Sequence, residues 1–294
     1  MGIDSRLPVP TTKGWLPASM IKAGDEVFSY TGEPTRVTLV QHYTPPECYK
    51  LWLKDGLTLV LDNRTGVPAY TTYSYKSLKR WSREHPRKNS RLLPQSPEKI
   101  FSKESGRCRV PVAHPIKPKP IHLPVDPYEF GRWLFDVSPK RKENRTDIIR
   151  ELIERYPTIP THIPEEYLFA SYDQRLALLK GILSRRPRCF SVRYAKFVLG
   201  INDIKLARQV QNLVESLGMQ TTLSRRLNKG YYYVNFRSYL RLSETQVAPK
   251  NPHEMDYRRI FRVEQVAPRE CTYIKTEDPN NTILVSEGFL TVSL

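Results

Sequence analysis

The order of apolar and polar positions predicts β-structure at both ends of the chain. The segment CYKLWLKDGLTLVLD (48–62) alternates, turns at Asp55-Gly56 and then runs apolar, and Asp-Gly between two such runs is typical of a tight β-hairpin. Residues 24–40 predict two further strands around a turn at 31–34. From Arg258 onward, RIFRVEQV, CTYIKT, TILV and FLTV are again strand-like.

The middle of the chain predicts helices that alternate with pairs of strands. Asp126-Pro127 begins one helix, and Ser171 and Gln174 form a capping box before RLALLKGILS. Further helices are predicted for TDIIRELIERY and for IKLARQVQNLVESLGM, which ends at Gly218. The runs CFSVRYAKFVLG, MQTTLSRRL and YYYVNFRSYL predict strands. The pattern as a whole predicts a β domain that is interrupted by an α+β insert.

Charge adds a candidate partner to this picture. The chain has 47 Lys and Arg against 30 Asp and Glu, a net charge of +17, which indicates either nucleic acid or an acidic protein surface. Residues 74–120 hold 13 Lys and Arg, 3 Glu and seven prolines, which is typical either of a solvated linker or of a basic arm on phosphates. No apolar stretch is long enough to span a membrane. The four cysteines lack paired spacing, so no disulfide framework, zinc site or other cofactor is expected.

Several strings resemble a known family. IDSRLPVPTTKGW, AGDEVFSYTGEPTRV and CYKLWLKDGLTLVLD are similar to the opening blocks of phage and helicase-type inteins, and RRIFRVEQVAPRECTYIKTEDPNNTILVSEGFLTV to the closing blocks. RVPVAHPIKPKPIHLPVDPYEFGRWLFD and IPEEYLFASYDQRLALLKGILS resemble the two helices of a LAGLIDADG homing endonuclease. The resemblance implies an all-β Hint-type domain built from both chain ends, with an inserted α+β LAGLIDADG endonuclease-like domain. The implied boundaries are 1–74 and 255–294 for the Hint-like parts, 75–120 for a basic connecting segment and 121–254 for the insert.

The resemblance also implies that the splicing positions are vestigial. Thr65 stands where the family has the activating His, and Ser293 and Leu294 occupy, to within one residue, the places of the terminal His and Asn. Met1 directly precedes Gly-Ile-Asp, which leaves nothing upstream to splice. Cys271 matches the internal nucleophile of one subclass, although a lone Cys in a strand is more often a buried apolar residue. A hydroxyl cannot move protons near neutral pH as imidazole does, so splicing is expected to be lost.

The endonuclease positions are altered in the same way. Asp136 falls on the acidic position of the first motif, whereas Ser184 and Arg186 replace the acids of the second and Pro187 replaces its Gly. A guanidinium beside a divalent metal is repulsive. No metal and no catalytic residue is therefore expected. The alternative role for Asp136 is an ion pair with Arg186.

The basic residues of the insert remain. Residues 174–196 contain seven Lys and Arg, Arg175 among them, and no acid. In the family the insert strands lie along the DNA major groove, whereas the tyrosines interleaved here favour a face packed on helices. The implied DNA-binding residues are Arg185, Arg186, Arg188, Arg193, Arg225, Arg226, Lys229 and Arg237.

The predicted function is that of a domesticated, splicing-dead and nuclease-dead phage protein that binds double-stranded DNA, inside the host cell or in the virion. The first alternative is a structural component of a phage capsid or tail that binds an acidic protein surface. The second alternative is residual DNA nicking. It is the least favoured of the three, because only Asp136 remains of the acids.

Overall fold

The computed structural model describes residues 1–71, 93–102, 108–135, 162–185, 189–191, 196–226, 230–238, 240, 242 and 257–294. The chain groups into two compact units, unit 1 of residues 1–114 and 256–294, and unit 2 of residues 115–255. Residues 93–102 and 108–114 thus lie in unit 1, although the sequence assigned them to a connecting segment. None of the helices in the described ranges is long and apolar enough to cross a membrane.

Unit 1 consists mainly of β-strands drawn from both ends of the chain. Its strands are β1 (Ile3–Asp4), β2 (Pro8–Thr11), β3 (Gly14–Pro17), β4 (Glu26–Phe28), β5 (Pro34–Tyr43), β6 (Cys48–Leu53), β7 (Thr58–Asp62), β8 (Val67–Thr71), β9 (Leu93–Gln95), β10 (Cys108–Pro111), β15 (Tyr257–Val266), β16 (Cys271–Thr276), β17 (Thr282–Val285) and β18 (Leu290–Ser293). Helix α1 (Pro97–Ser102) and a 3₁₀ turn (Ala18–Met20) complete it.

Twelve of these strands form one sheet in which late strands insert between early ones. The order is β3-β2-β4-β5-β16-β1-β7-β6-β15-β10-β8-β9, and β17 pairs with β18 separately. Strand β16 lies between β5 and β1, and β15 lies between β6 and β10. The core likewise combines both ends, because Ile3, Leu51 and Leu61 pack with Ile260 and Ile274. Neither end can therefore complete this core without the other.

The predicted Asp55-Gly56 hairpin is confirmed, since β6 and β7 pair antiparallel around it. Gly56 has φ +93°, the left-handed conformation that glycine adopts without a steric penalty. Asp55 is buried, and its carboxylate accepts a hydrogen bond of 2.7 Å from Arg258. Arg258 also donates to the Gly288 carbonyl at 2.9 Å. The buried pair therefore ties the early hairpin to the late strands.

Unit 2 combines helices with a four-stranded antiparallel sheet. Its helices are α2 (Pro127–Leu134), α3 (Glu165–Leu168), α4 (Tyr172–Arg185) and α5 (Ile204–Ser216), and its strands are β11 (Cys189–Ser191), β12 (Lys196–Ile201), β13 (Thr221–Arg226) and β14 (Tyr231–Arg237). The sheet order is β11-β12-β14-β13. Apolar residues of α5, including Leu206, Val210 and Leu213, are buried, and α5 contacts β12, β13 and β14.

The predicted helix caps are present. Asp126 accepts hydrogen bonds from the backbone N–H of Tyr128 and Glu129 at the start of α2. Ser171 and Gln174 bond each other reciprocally at the start of α4, and α5 is followed by Gly218 with φ +78°. The helix predicted for residues 146–156 lies outside the described residues.

Helices α2 and α4 cross in backbone contact at two glycines. A β-carbon on Gly131 would overlap the carbonyl oxygen of Leu178, and one on Gly181 would overlap that of Tyr128. Glycine has no β-carbon, so it alone permits this separation. The two helices that the sequence singled out are thus adjacent and closely packed.

Arg175 is a buried structural residue rather than part of the basic surface. Its guanidinium donates to the carbonyls of Ala170 and Ser216 at 2.9 and 2.8 Å and to that of Ile116. Burial lowers its pKa to about 9, so it remains charged at neutral pH. This cation holds the start of α4, the end of α5 and the segment before α2 together.

Candidate functional site

A cluster of polar contacts surrounds Gly2 in unit 1. The N–H of Gly2 donates to the Thr65 hydroxyl at 2.7 Å, and that hydroxyl donates to the Gly2 carbonyl at 2.8 Å. The N–H of Asp62 reaches the same carbonyl at 3.0 Å. Thr65 comes directly after β7 and Gly2 directly before β1, so these two neighbouring strands bring them together. Thr65 therefore binds both polar groups of one residue.

Asp62 is a fully buried carboxylate beside this contact. Its oxygens accept hydrogen bonds from the Tyr43 hydroxyl and from the Arg64 N–H, and the Arg64 guanidinium lies 3.5 Å away. Burial acts to raise the pKa of Asp62, but these hydrogen bonds and charges outweigh it and hold the pKa below its ordinary value. Burial and the Asp62 charge raise the pKa of Tyr43. The pair is thus a carboxylate with a phenol donor.

Cys271 closes the cluster from the other side. It is fully buried at the start of β16, and its β-carbon lies 3.2 Å from the position that a β-carbon on Gly2 would take. Burial, with the neighbouring Cys48 thiol and the Asp62 and Asp4 carboxylates, raises the pKa of the Cys271 thiol. A thiol is a nucleophile only as the thiolate. Cys271 is therefore held in its unreactive form.

The last strand runs past the same cluster. Ser293 and Gly66 exchange two backbone hydrogen bonds of 2.8 Å, which places position 293 beside Thr65. The Asn281 side chain donates to the Leu294 carbonyl, and the Leu294 N–H donates to the Asn281 carbonyl at 3.1 Å. The structure thus brings together three positions that the sequence singled out, Thr65, Cys271 and Ser293.

Sequence reasoning missed three members of this cluster. Tyr43 and Asp62 lie in segments that were read only as strands, and Cys48 gave no signal of a neighbouring thiol. His42 was also missed: its Nδ1 lies 3.2 Å from the hydroxyl of Thr272, the residue after Cys271. Only the pairing of β5 with β16 brings these residues close. The endonuclease positions Asp136, Arg186 and Pro187 lie outside the described residues.

A second candidate surface is the outer face of the unit 2 sheet, the face turned away from the buried apolar residues. Alternation places Phe197, Leu199, Val234 and Phe236 on the inner face, where they are buried. The outer face carries Lys196, Val198, Gly200, Thr222, Ser224, Tyr231, Tyr233, Asn235 and Arg237. None of these described residues is acidic.

The cations of the outer face lie at one end of the sheet. Lys196 and Arg237 are directly opposite each other on β12 and β14, an arrangement that repels unless an anion lies nearby. They line a groove together with Thr222 and Asn235. The groove therefore offers two cations beside a hydroxyl and an amide.

The two predicted DNA-binding residues whose side chains are described lie on different faces. Arg237 is exposed on the outer face, whereas Arg225 pairs with Tyr232, in the alternation of the inner face, and its guanidinium lies 5.5 Å from the Tyr232 ring. Tyr231 and Tyr233 are on the outer face, contrary to the expectation that the tyrosines pack on helices. Arg226 lies in β13 and Arg185 in α4, but their side chains are not described. Arg186, Arg188, Arg193 and Lys229 lie outside the described residues.

Comparisons with known proteins give one sequence relative and several structural neighbours. No protein-family model matches the chain. The replicative DNA helicase DnaB of Mycobacterium intracellulare is 27% identical over 261 residues, which cover 78% of this chain and 44% of that protein. The chain thus spans less than half the length of this relative. Similar solved structures are the MchDnaB-1 intein (10% identity, TM-score 0.41, 99% of both chains covered) and the gp41-1 intein (10% identity, TM-score 0.38, 100% of this chain and 98% of that chain).

Proposed function

We propose that this protein derives from an intein that carried a LAGLIDADG endonuclease, has lost splicing and cleavage, and binds double-stranded DNA. The observation that carries the binding role is the outer face of the unit 2 sheet, which has two opposed cations and no acid among its described residues. The long match to a replicative helicase supports the origin, because an intein interrupts the sequence of its host protein.

The cluster around Gly2 supports an intein origin without splicing. The resemblance places the activating imidazole at position 65, and there Thr65 binds the N–H and carbonyl of Gly2. Its hydroxyl orients this residue but does not exchange protons near neutral pH as imidazole does. Cys271 is buried and protonated. The arrangement of a splicing centre is thus retained, while the groups that would carry the chemistry are replaced or unreactive.

The close pair of α2 and α4 supports the endonuclease origin. In LAGLIDADG proteins two such helices pack side by side and bring an acid to the end of each. Ser184, near the end of α4, is exposed and donates its hydroxyl to the Gly181 carbonyl at 2.7 Å. A neutral hydroxyl that is engaged in this way is a poor substitute for the carboxylate oxygens that Mg²⁺ prefers. We infer that the helix pair persists as a scaffold for the sheet.

The outer face has the chemistry that DNA recognition requires. Lys196 and Arg237 supply phosphate contacts, which account for the sequence-independent part of DNA affinity. Asn235 and Thr222 pair across β14 and β13 and supply donors and acceptors of the kind that read base edges. A two-stranded β-ribbon fits the major groove. We therefore assign β13 and β14 to the groove and the Lys196–Arg237 end to the backbone.

The test is salt-dependent binding of a labelled DNA duplex, measured by fluorescence anisotropy. The double variant Lys196→Glu with Arg237→Glu should weaken binding at least tenfold and reduce the slope of log affinity against log salt by about 2, one for each lost phosphate contact. The matched control is Lys205→Glu with Arg208→Glu, which makes the same charge change on exposed residues of α5.

Equal losses in the two double variants would show that net charge rather than this face drives binding. Absence of binding by the wild-type protein at low salt would contradict the DNA-binding role. That result would favour an acidic protein surface in a large assembly as the partner.

A further inference from the structure

Two cysteines from opposite ends of the chain lie together in unit 1. Cys48 begins β6 and Cys271 begins β16, and both are fully buried. They form a small apolar cluster with Val60, separate from the main core. Tyr43 and Val266 border this cluster and are only partly buried, so the two thiols lie close to the protein surface.

Their approach depends on the short strand β1. Strands β6 and β16 are not neighbours, because β7 and β1 lie between them in the sheet. Strand β1 spans only Ile3–Asp4, and the residue before it is Gly2, which leaves room for the Cys271 side chain. The Cys271 thiol thereby comes within hydrogen-bonding reach of the Cys48 thiol. A larger residue at position 2 would occupy this space.

We propose that Cys48 and Cys271 form a disulfide when the protein meets a disulfide oxidant such as oxidised glutathione, and that this bond fastens the two ends of unit 1 together. The first thiol loses its proton to solvent, and its thiolate attacks the glutathione disulfide and expels one glutathione thiolate. The second thiol then loses its proton and displaces the second glutathione from the mixed disulfide. Two protein thiols and one glutathione disulfide give one protein disulfide and two reduced glutathiones.

The position of the bond gives it a mechanical consequence. Residues 48 and 271 flank the whole of unit 2, so the disulfide would close a loop that contains residues 115–255. A cross-link over so long a loop restricts the unfolded chain strongly. The β15 and β16 strands would then stay attached to β6 and β7 when β1 opens. Oxidation should therefore stabilise unit 1 against separation of its two ends.

The experiment is oxidation of the folded full-length chain with oxidised glutathione at mildly alkaline pH, followed by alkylation and peptide mass spectrometry without reduction. We expect one linked pair of peptides that contains Cys48 and Cys271, and an intact mass lower by two hydrogen atoms. The thermal midpoint of unit 1 should rise by roughly 5–10 °C and return to its first value with dithiothreitol.

Cys108→Ser is the matched control, because Cys108 is also buried in unit 1 but packs in the main core. It should retain the link and the shift, whereas Cys48→Ser and Cys271→Ser should lose both. Recovery of alkylated Cys48 and Cys271 after oxidation, glutathione adducts without a link, or links through Cys108 or Cys189 would each overturn the proposal. The wild-type peptides decide this even where a serine variant does not fold.

Discussion

Asp62 keeps its charge inside unit 1 because Tyr43 and the Arg64 backbone donate hydrogen bonds to it. Its pKa is lower in the folded than in the unfolded chain. The stability that it contributes is therefore complete above its ordinary pKa of 3.8 and disappears as the pH falls through the lower folded value. This sign follows from the carboxylate being the form that the fold binds.

We predict that Asp62→Asn lowers the free energy of unfolding at neutral pH by about 1–3 kcal/mol, since the amide cannot accept the same donors. The variant should also show a shallower loss of stability between pH 4 and pH 2, because the titrating group is gone. Urea unfolding at several pH values measures both effects. Glu277→Gln, an exposed acid of unit 1, is the control, and an equal loss there would contradict the assignment.

The Gly131–Gly181 contact acts at the scale of elements. Because a β-carbon on Gly181 would overlap the Tyr128 carbonyl, Gly181→Ala must separate α2 from α4. We expect it to destabilise unit 2 by about 1–3 kcal/mol, even though alanine favours helices. Ser184→Ala in the same helix should change stability by less than about 0.5 kcal/mol. A gain in the thermal midpoint of Gly181→Ala would show that the crossing is looser than described.

Elements whose signals are local could be predicted from the sequence. The Asp55-Gly56 turn and the caps Asp126 and Ser171 act within a few residues, so their residue types suffice to locate them. The pairing of strands is not local. Whether Arg225 or Arg237 faces outward depends on register, and a shift by one residue reverses every side chain.

Buried polar residues were equally hard to predict. Arg175 belongs to a basic run in the sequence, yet in the fold it bonds three carbonyls from distant segments. The cluster around Gly2 was predicted only in part. The resemblance indicated Thr65 and Cys271, whereas Tyr43 and Cys48 join the cluster through contacts between β5, β6 and β16. Such partners become visible only once the strand order is known.

At the scale of the whole molecule, the replaced groups around Gly2 predict that the chain does not cleave itself. A fusion that carries one reporter before Met1 and another after Leu294 should remain full length over days at neutral pH with thiol present. The reason is that Thr65 cannot serve as the acid and base and that the Cys271 thiol stays protonated. Gel electrophoresis measures the products. Release of a reporter that Cys271→Ala abolishes would show that the nucleophile still works.

The helix pair leads to the last prediction, which concerns DNA cleavage by the whole chain. Ser184 binds the Gly181 carbonyl, and Arg186 adds a cation where the family holds a divalent metal, so one motif lacks its ligands. We expect no nicking or linearisation of supercoiled plasmid with Mg²⁺ or Mn²⁺, under conditions in which DNA binding is detected. A reaction with chelator is the control. Metal-dependent nicking that Asp136→Asn removes would contradict the prediction, because it would show that the carboxylate of the first motif supports cleavage alone.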